Sequence, residues 1–287
     1  MKQGRWLIWS IAVLCGLAAL PSAPAYARER CFRIFDATVF RAKPDLSRHG
    51  VQRVEMVYGV RQLYLNETSP EKLARLPNRA TVETTIKRLG VRDRAPLMIV
   101  DIEHWPNVGA EVGESVEKYV TLLDWIKGAA GGTPVGYYGV PPLRDYWRAI
   151  GMPVTGYQQW QVENDHFATL SAAVDVLAPS LYTFYDDVDG WKRYAIANVR
   201  EAQRLAPGKP VYPFIWPQYH NSNRKLGGQY LPAEFWAQQL KTLAGIADGV
   251  VIWSGSPELW RPDAPWWQAT LDFIASSDRA CQPNSKS

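Results

Sequence analysis

The sequence predicts a single α/β domain folded as a (β/α) barrel of the TIM type, with seven or eight strands and an irregular outline. Short apolar runs alternate with amphipathic stretches along the chain, which indicates parallel strands joined by crossover helices. The seven or eight strand–helix units span about 250 residues, the usual length of one such barrel. An open doubly wound sheet is the alternative, but no glycine-rich phosphate loop follows the first strand, which disfavours it.

The individual elements follow from apolar spacing and turn residues. Strands are predicted over 31–40, 54–59, 96–103, 133–139, 174–184, 210–217 and 248–256, with a further possible strand over 62–66. Helices are predicted over 113–132, 141–151, 191–208, 232–245 and 263–277, and over all or part of 69–90. No sequence repeat or linker divides the chain, so we expect one domain over 28–287.

Residues 1–27 have the pattern of a signal peptide. Lys2 and Arg5 precede the apolar run WLIWSIAVLCGLAAL, and AYA at 25–27 fits a small-residue cleavage site. We expect cleavage after Ala27 and a secreted or periplasmic location. A retained membrane anchor is the alternative. No later segment approaches the roughly 18 apolar residues that a membrane span needs, so no further integral membrane segment is expected.

The predicted mature chain would keep two cysteines, Cys31 and Cys281, near its opposite ends. Export implies an oxidising compartment, so we expect a disulfide between them; the alternative is two unrelated thiols. Without Lys2 and Arg5 the formal charge falls from +4 to +2. No basic run with interleaved aromatic residues is present, so nucleic acid is not an expected partner.

Two acids and a tryptophan follow the strand predicted over 96–103. Asp101, Glu103 and Trp105 are spaced by two residues, and in an extended strand such positions share one face. Two carboxylates on one strand face repel each other, which raises a pKa in a partly dry cleft. The alternative is structural: Asp101 could cap the next helix, and Glu103 could pair with an arginine.

Aromatic residues follow the other predicted strands. Their ends carry Tyr137, Tyr138, Tyr182, Tyr185, Trp216, Tyr219, His220 and Trp253. In (β/α) barrels the carboxyl ends of the strands carry the reactive groups. Carboxylates surrounded by Tyr and Trp are typical of a sugar site, in which aromatic faces pack on the ring and polar groups bind its hydroxyls. The alternative for each aromatic residue is core packing.

Other chemistries find no motif in this chain. The four histidines, at positions 49, 104, 166 and 220, have no metal-ligand spacing, and no Gly–x–Ser–x–Gly elbow is present. We therefore expect neither a metal nor a cofactor.

Five segments together resemble glycoside hydrolase family 56, the hyaluronidases. They are LMIVDIEHW, PVGYYGVP, VLAPSLY, KPVYPFIWPQY and DGVVIWSGS, and they occur in the same order as in that family over residues 96–256. The first resembles the family's Asp–x–Glu–x–Trp strand. The others resemble its Gly–(Phe/Tyr)–Tyr, Pro–Ser–(Ile/Val)–Tyr, late aromatic and Gly–x–x–Ile–Trp–Gly strands.

The resemblance implies an irregular barrel that hydrolyses a β-linked N-acetylhexosaminide with retention, using the 2-acetamido oxygen of the substrate as nucleophile. Glu103 would be the general acid and then the base. Asp101 would hold the acetamide and help to keep Glu103 protonated. Tyr182 would hydrogen-bond the acetamide oxygen or Asp101. The further substrate-binding residues would be Tyr138, Trp253, Trp105 and Trp216.

The sequence departs from the animal enzymes in ways that bear on the substrate. Pro106 and Asn107 stand where those enzymes carry an arginine after the tryptophan, and the low net charge exerts little attraction on a polyanion. Both features argue against hyaluronan and favour another N-acetylhexosamine-containing polysaccharide. Two further hypotheses stay open: a non-catalytic glycan-binding barrel, and a glycosidase with Asp186 or Asp187 as nucleophile.

Overall fold

The computed structural model describes residues 31–93 and 95–281. Every pair of neighbouring strands in its two sheets is parallel, as predicted. One sheet has the order β2-β1-β7-β6 and the other β3-β4-β5. The strands are β1 (Arg33–Thr38), β2 (Val51–Arg53), β3 (Glu55–Tyr58), β4 (Met98–Asp101), β5 (Val135–Tyr137), β6 (Phe214–Ile215) and β7 (Gly249–Ser254).

Two irregular connections join these sheets into one barrel. Strands β2 and β3 are halves of one extended stretch that changes its pairing partner from β1 to β4 at Val54. Segment 177–183 lies between β5 and β6 and touches them through single parallel bridges. Pro179 lies in this segment, and a proline cannot donate a ladder hydrogen bond. The result is a barrel with seven strand positions, which we call staves: β1, β2 with β3, β4, β5, segment 177–183, β6 and β7. This architecture confirms the predicted fold class.

Helices surround the barrel. They are α1 (Pro70–Leu73), α2 (Arg79–Asp93), α3 (Val112–Ala129), α4 (Tyr146–Ala149), α5 (Gly156–Asp165), α6 (Ala168–Ala173), α7 (Val188–Leu205), α8 (Ala233–Ile246) and α9 (Pro265–Ser276). A 3₁₀ turn over Ser47–His49 and a π-helical turn over Gly59–Leu63 complete the elements. No helix in the described ranges is long and apolar enough to cross a membrane.

Several segments of the described chain differ from the sequence-based assignment. The possible strand over 62–66 is wrong, because the side chain of Gln62 accepts the Tyr58 N–H and the chain coils directly after β3. The helix predicted over 141–151 begins only at Tyr146, after Pro141 and Pro142, which lack N–H donors. Helices α5 and α6 were not predicted, because few large apolar residues mark their buried sides.

Side-chain alternation along the strands creates two apolar cores. One set of positions packs inside the barrel, including Phe35, Ile99, Phe214 and Val251. The intervening positions, such as Val100 in β4, pack outward against the helices. This alternation has period two, and it fixes which residue at the end of each strand faces the barrel axis.

The predicted disulfide between Cys31 and Cys281 is present, with a Cα–Cα distance of 4.8 Å. Next to it, Phe32 forms a parallel bridge with Ala280, and the Cys281 N–H donates to the Phe32 carbonyl at 3.0 Å. The disulfide and this backbone pairing together join the segment after α9 to the start of β1. The predicted signal peptide, residues 1–27, lies outside the described residues.

Candidate active site

A ring of polar and aromatic side chains occupies the carboxyl end of the barrel. It is formed by the last inward-facing residue of six staves. They are Tyr58, Asp101, Tyr138, Tyr182, Trp216 and Trp253. Inward alternation predicts each of these positions from its strand, and the parallel arrangement brings all six to the same end of the barrel.

Strand pairing sets the place of Asp101 within this ring. Its neighbour in register on β3 is Tyr58. On the other side, the Tyr138 N–H donates to the Val100 carbonyl at 2.9 Å, so Tyr138 follows β5 beside Asp101. Asp101 is partly buried and faces inward, like Ile99 two residues before it.

Glu103 lies beyond the end of β4 and is exposed. It lines a cavity of about 210 Å³ that opens at the carboxyl end of the barrel. The polar and charged lining residues are Glu103, Asn107, Tyr138, Arg144, Arg148 and Ser180. Asp101 is not among the lining residues; it lies two residues earlier in the chain and therefore deeper in the barrel. Tyr138 belongs both to the cavity wall and to the ring.

The two carboxylates are electrostatically coupled. Burial and, to a smaller extent, the charge of Glu103 together raise the pKa of Asp101 to about 7. Within residues 31–93 and 95–281, neither acid forms an ion pair or a hydrogen bond with a side chain. Asp101, whose pKa is raised, is the residue that the family resemblance implies would help to keep Glu103 protonated.

Aromatic rings close the barrel beside these acids. Tyr182 and Trp253 are stacked, with centroids 5.6 Å apart and planes at 28°. Trp216 meets Trp253 edge to face at 5.2 Å, and Tyr138 lies 5.8 Å from Tyr182. Such packing leaves these rings little freedom to move, so the aromatic wall is already in place before any ligand binds.

Hydroxyl groups from three staves point into the same region. The Tyr138 and Ser180 hydroxyls are 3.0 Å apart, and burial raises the pKa of Tyr138 to about 12. Burial also raises the pKa of Tyr182 far above its usual value. The Trp253 indole N–H donates to the Tyr58 hydroxyl at 3.3 Å. These phenols stay protonated at neutral pH and can donate hydrogen bonds.

Trp105 does not belong to this site, contrary to the sequence-based prediction. Strand β4 ends at Asp101, so the alternation does not continue to position 105. The Trp105 side chain is 1% exposed and packs edge to face on Tyr119 of α3 at 4.9 Å. Its indole N–H donates to the Leu73 carbonyl at 2.9 Å. Trp105 therefore anchors the chain after Glu103 to the outer layer of the protein.

The acids considered as alternative nucleophiles have other partners. Asp187 caps helix α7 by accepting the Gly190 N–H at 2.8 Å. Asp186 accepts a hydrogen bond from the Tyr219 hydroxyl at 2.6 Å. Neither lines the cavity that contains Glu103.

Several residues of the site were not predicted from the sequence, among them Tyr58, Ser180 and Arg144. Tyr58 ends a predicted strand and could have been found by the rule that found the others. Ser180 lies two residues before Tyr182, on the same inward face. Arg144 is exposed, lines the cavity and forms no ion pair in the part of the chain that the structure describes. Its place depends on the loop after β5, for which the sequence gives no periodic signal.

Comparison with known proteins gives a structural likeness only. No protein-family model matches the chain, and no curated protein matches its sequence. The crystal structure of bee venom hyaluronidase superposes with a TM-score of 0.54 at 16% identity, covering 85% of this chain and 96% of that one. The same enzyme in complex with a hyaluronic acid tetramer gives a TM-score of 0.57 at 16% identity, covering 85% and 95%. At this identity the likeness shows a shared barrel fold.

Proposed function

We propose that this protein is a glycoside hydrolase that cleaves a β-linked N-acetylhexosamine-containing polysaccharide by a retaining, substrate-assisted mechanism. The observation that carries the proposal is the coupled pair of Asp101 and Glu103 at the carboxyl end of the barrel. Both carboxylates lack a protein counter-ion among the described residues, and the pKa of Asp101 is raised to about 7. Perturbed acids in a cleft are typical of catalytic sites.

Each acid has a distinct role in the proposed reaction. The acetamide N–H of the bound sugar donates to Asp101, which favours the ionised form of that residue. The proton that Asp101 gives up as it ionises passes to Glu103, which then acts as the general acid. The acetamide oxygen attacks the anomeric carbon while the glycosidic C–O bond breaks, and Glu103 gives its proton to the departing oxygen.

The second half of the reaction returns the enzyme to its starting state. Glu103, now ionised, takes a proton from water as the water oxygen attacks the anomeric carbon. The bond between that carbon and the acetamide oxygen breaks, so the acetamide is restored and the configuration is retained. No protein nucleophile is needed, which agrees with the absence of any acid other than Glu103 from the described residues that line the cavity.

The aromatic members of the ring of side chains at the carboxyl end of the barrel form the sugar subsite in this proposal. Tyr182 hydrogen-bonds the acetamide, while Tyr138, Trp216 and Trp253 pack against the pyranose. We leave Trp105 out of the substrate-binding set, because it is buried in the outer core. Arg144 adds a cation to the cavity that contains Glu103, so the site itself accepts a sugar that bears a carboxylate. This observation weakens the argument against hyaluronan from Pro106 and Asn107.

We also propose that the protein is exported, with residues 1–27 as its signal peptide and cleavage after Ala27. The disulfide between Cys31 and Cys281 supports an oxidising location, because such bonds persist outside the cytosol. The mass of the exported protein tests the proposed cleavage after Ala27. An exported chain that still begins at Met1 would count against cleavage.

The test of the proposed activity is a polysaccharide panel analysed by mass spectrometry. It includes chitin oligomers, peptidoglycan, hyaluronan and chondroitin, with a glucan that lacks acetamido groups as control. Glu103→Gln should fold normally and lower turnover at least about 100-fold on the cleaved glycan. Glu117→Gln, an exposed glutamate of α3, is the matched control and should keep wild-type turnover.

Three other outcomes would contradict parts of this proposal. Unchanged turnover in Glu103→Gln removes Glu103 from the mechanism. Efficient cleavage of the glucan argues for a protein nucleophile instead of the acetamide. Binding of a glycan with no product after prolonged incubation favours the non-catalytic glycan-binding barrel.

A further inference from the structure

We infer that a second sugar-binding position exists at the rim of the barrel, formed by the side chains of Trp147 and Tyr185. We call this pair the rim platform. It would bind a more distant ring of the same glycan chain whose reacting sugar lies beside Glu103. The inference rests on the proposed function for the nature of the ligand, and it adds a place in the protein that the catalytic proposal does not use.

The rim platform is an unusual surface feature. In the part of the chain that the structure describes, three large aromatic side chains are exposed: Trp147 at 47%, Tyr185 at 39% and Tyr230 at 37%. Trp147 and Tyr185 are neighbours, with ring centroids 5.2 Å apart, and the Trp147 indole N–H donates to the Tyr185 hydroxyl at 3.2 Å. Single exposed apolar residues are common on protein surfaces, but these two form one joined surface.

Buried aromatic residues hold the rim platform from below. Tyr146 is 8% exposed and contacts both rings, with centroids at 5.1 Å from Trp147 and 4.9 Å from Tyr185. Tyr146 itself packs on the buried Tyr194 at 5.1 Å. Because this packing already holds the two exposed rings in place, the protein loses little side-chain entropy when a ligand stacks on them.

A continuous line of rings connects the rim platform with the catalytic end of the barrel. Tyr182 stacks on His220 at 6.1 Å, and His220 meets Phe184 at 4.8 Å. Phe184 in turn lies 6.5 Å from Tyr185. The rim platform is therefore three ring contacts away from Tyr182, beyond the reach of the sugar held at the acids.

The position of Arg144 indicates that the line of rings from Tyr182 to Tyr185 runs beside the cavity that contains Glu103. Its guanidinium lies 6.0 Å from the centre of the Phe184 ring, and the same residue lines the cavity that contains Glu103. One side chain thus touches both the reaction cavity and the line of rings. A glycan that leaves the cavity past Arg144 meets the exposed faces of Tyr185 and Trp147 next.

The chemistry of the rim platform suits a pyranose. Its large apolar faces match the C–H face of a sugar ring, while its surroundings are polar: Asp145 and Arg148 form an ion pair next to Trp147, and Asp186 follows Tyr185. A ring with one apolar face and a rim of hydroxyls satisfies both. The two side chains are too small an area for a stable protein interface, which needs far more buried surface.

The experiment compares short and long substrates in matched variants. Trp147→Ala should lower kcat/KM about tenfold on a hexamer of N-acetylglucosamine or an octamer of hyaluronan, whichever is cleaved. It should leave kcat/KM on a chromogenic disaccharide glycoside of the same sugar unchanged. Tyr185→Ala should behave similarly. Tyr230→Ala removes the third exposed aromatic residue, which lies outside the line of rings, and should change neither rate.

The other outcomes are also decisive. Equal rates in Trp147→Ala and the wild type on the long substrate overturn the rim platform but leave the catalytic proposal intact. An equal loss on both substrates also overturns it, because the effect would then come from the reaction site. If the wild-type protein cleaves no glycan, the catalytic proposal fails, and binding of the same hexamer and octamer is measured by calorimetry. Weaker binding in Trp147→Ala then supports the platform, and unchanged or absent binding refutes it.

Discussion

Asp101 ends β4 on its inward face and Glu103 follows two residues later, beyond the strand; burial together with the charge of Glu103 raises the pKa of Asp101 to about 7. A buried acid without a counter-ion among the described residues lowers the stability of the fold when it ionises. The arrangement is therefore costly for folding, which is consistent with the proposed catalytic role of the two acids.

We expect Asp101→Asn to stabilise the protein at pH 8 and to have little effect at pH 4. The pKa of Asp101 is higher in the folded state than the ordinary value of about 3.9, so the unfolded chain ionises first and stability falls as pH rises from about 4 to 7. The gain at pH 8 is on the order of 4 kcal/mol at most. Denaturant unfolding across this pH range measures it. A constant difference between the two proteins would show that ionisation of Asp101 is not the cause.

For the proposed reaction, we expect kcat/KM of the wild-type protein to fall as pH rises through about 7. Above this pH Asp101 has already lost its proton and has none to pass to Glu103, so the leaving oxygen lacks a donor. A pH–rate profile from pH 4 to 9 measures the midpoint, with Glu117→Gln as the variant that should follow the wild type. An undiminished rate at pH 9 contradicts the assignment.

We expect Arg144→Gln to lower kcat/KM on hyaluronan oligosaccharides about tenfold and to change it little on neutral chitin oligomers. Arg144 lines the cavity with Glu103 and forms no ion pair among the described residues, so its charge is available to a uronate. Arg144→Lys keeps the charge and should retain most of the rate. Equal losses on charged and neutral substrates would assign Arg144 a role in shaping the cavity instead.

We expect Trp105→Ala to destabilise the protein by about 3–5 kcal/mol, because it removes a large side chain that is 1% exposed. Trp147→Ala, at an exposed tryptophan, should change stability by no more than about 0.5 kcal/mol. Urea unfolding of the two variants tests the contrast. Similar stabilities would mean that Trp105 does not anchor the outer layer.

We expect replacement of both cysteines, Cys31→Ser with Cys281→Ser, to lower the free energy of unfolding by about 2–4 kcal/mol, as for other disulfides that close long loops. The bond joins residues separated by 250 positions and lies away from the acids, so kcat/KM at 25 °C should not change. Thermal unfolding with and without a reductant makes the same comparison on the wild-type chain. A reductant that leaves the Tm unaltered contradicts this prediction.

Much of the barrel end could be predicted because strand alternation is a local rule. Asp101, Tyr138, Tyr182, Trp216 and Trp253 each end an apolar run, and parallel strands bring such ends together. The rule failed at Trp105, where it was applied past the end of β4. A sequence marks the start of a buried strand by its apolar residues, but the residue at which the chain turns depends on tertiary contacts.

The residues at the barrel rim that could not be predicted from the sequence lie in a loop and in one short helix. Arg144 lies in the connection between β5 and α4, and Trp147 lies in a helix of four residues capped by Asp145. Neither segment has enough apolar residues to show a period. Their positions at the rim depend on the packing of Tyr146 and Phe184, which are distant from each other in sequence.

The pairing of β1 with β7 has a consequence for how the molecule is made. The first strand can pair with β2 early, but its other edge stays open until residues 249–254 join it. A nascent chain that stops before this point exposes two unpaired edges, and such edges recruit other molecules. Closure of the barrel therefore has to wait until β7 has been synthesised, and truncation before this strand should produce aggregates rather than a smaller folded protein.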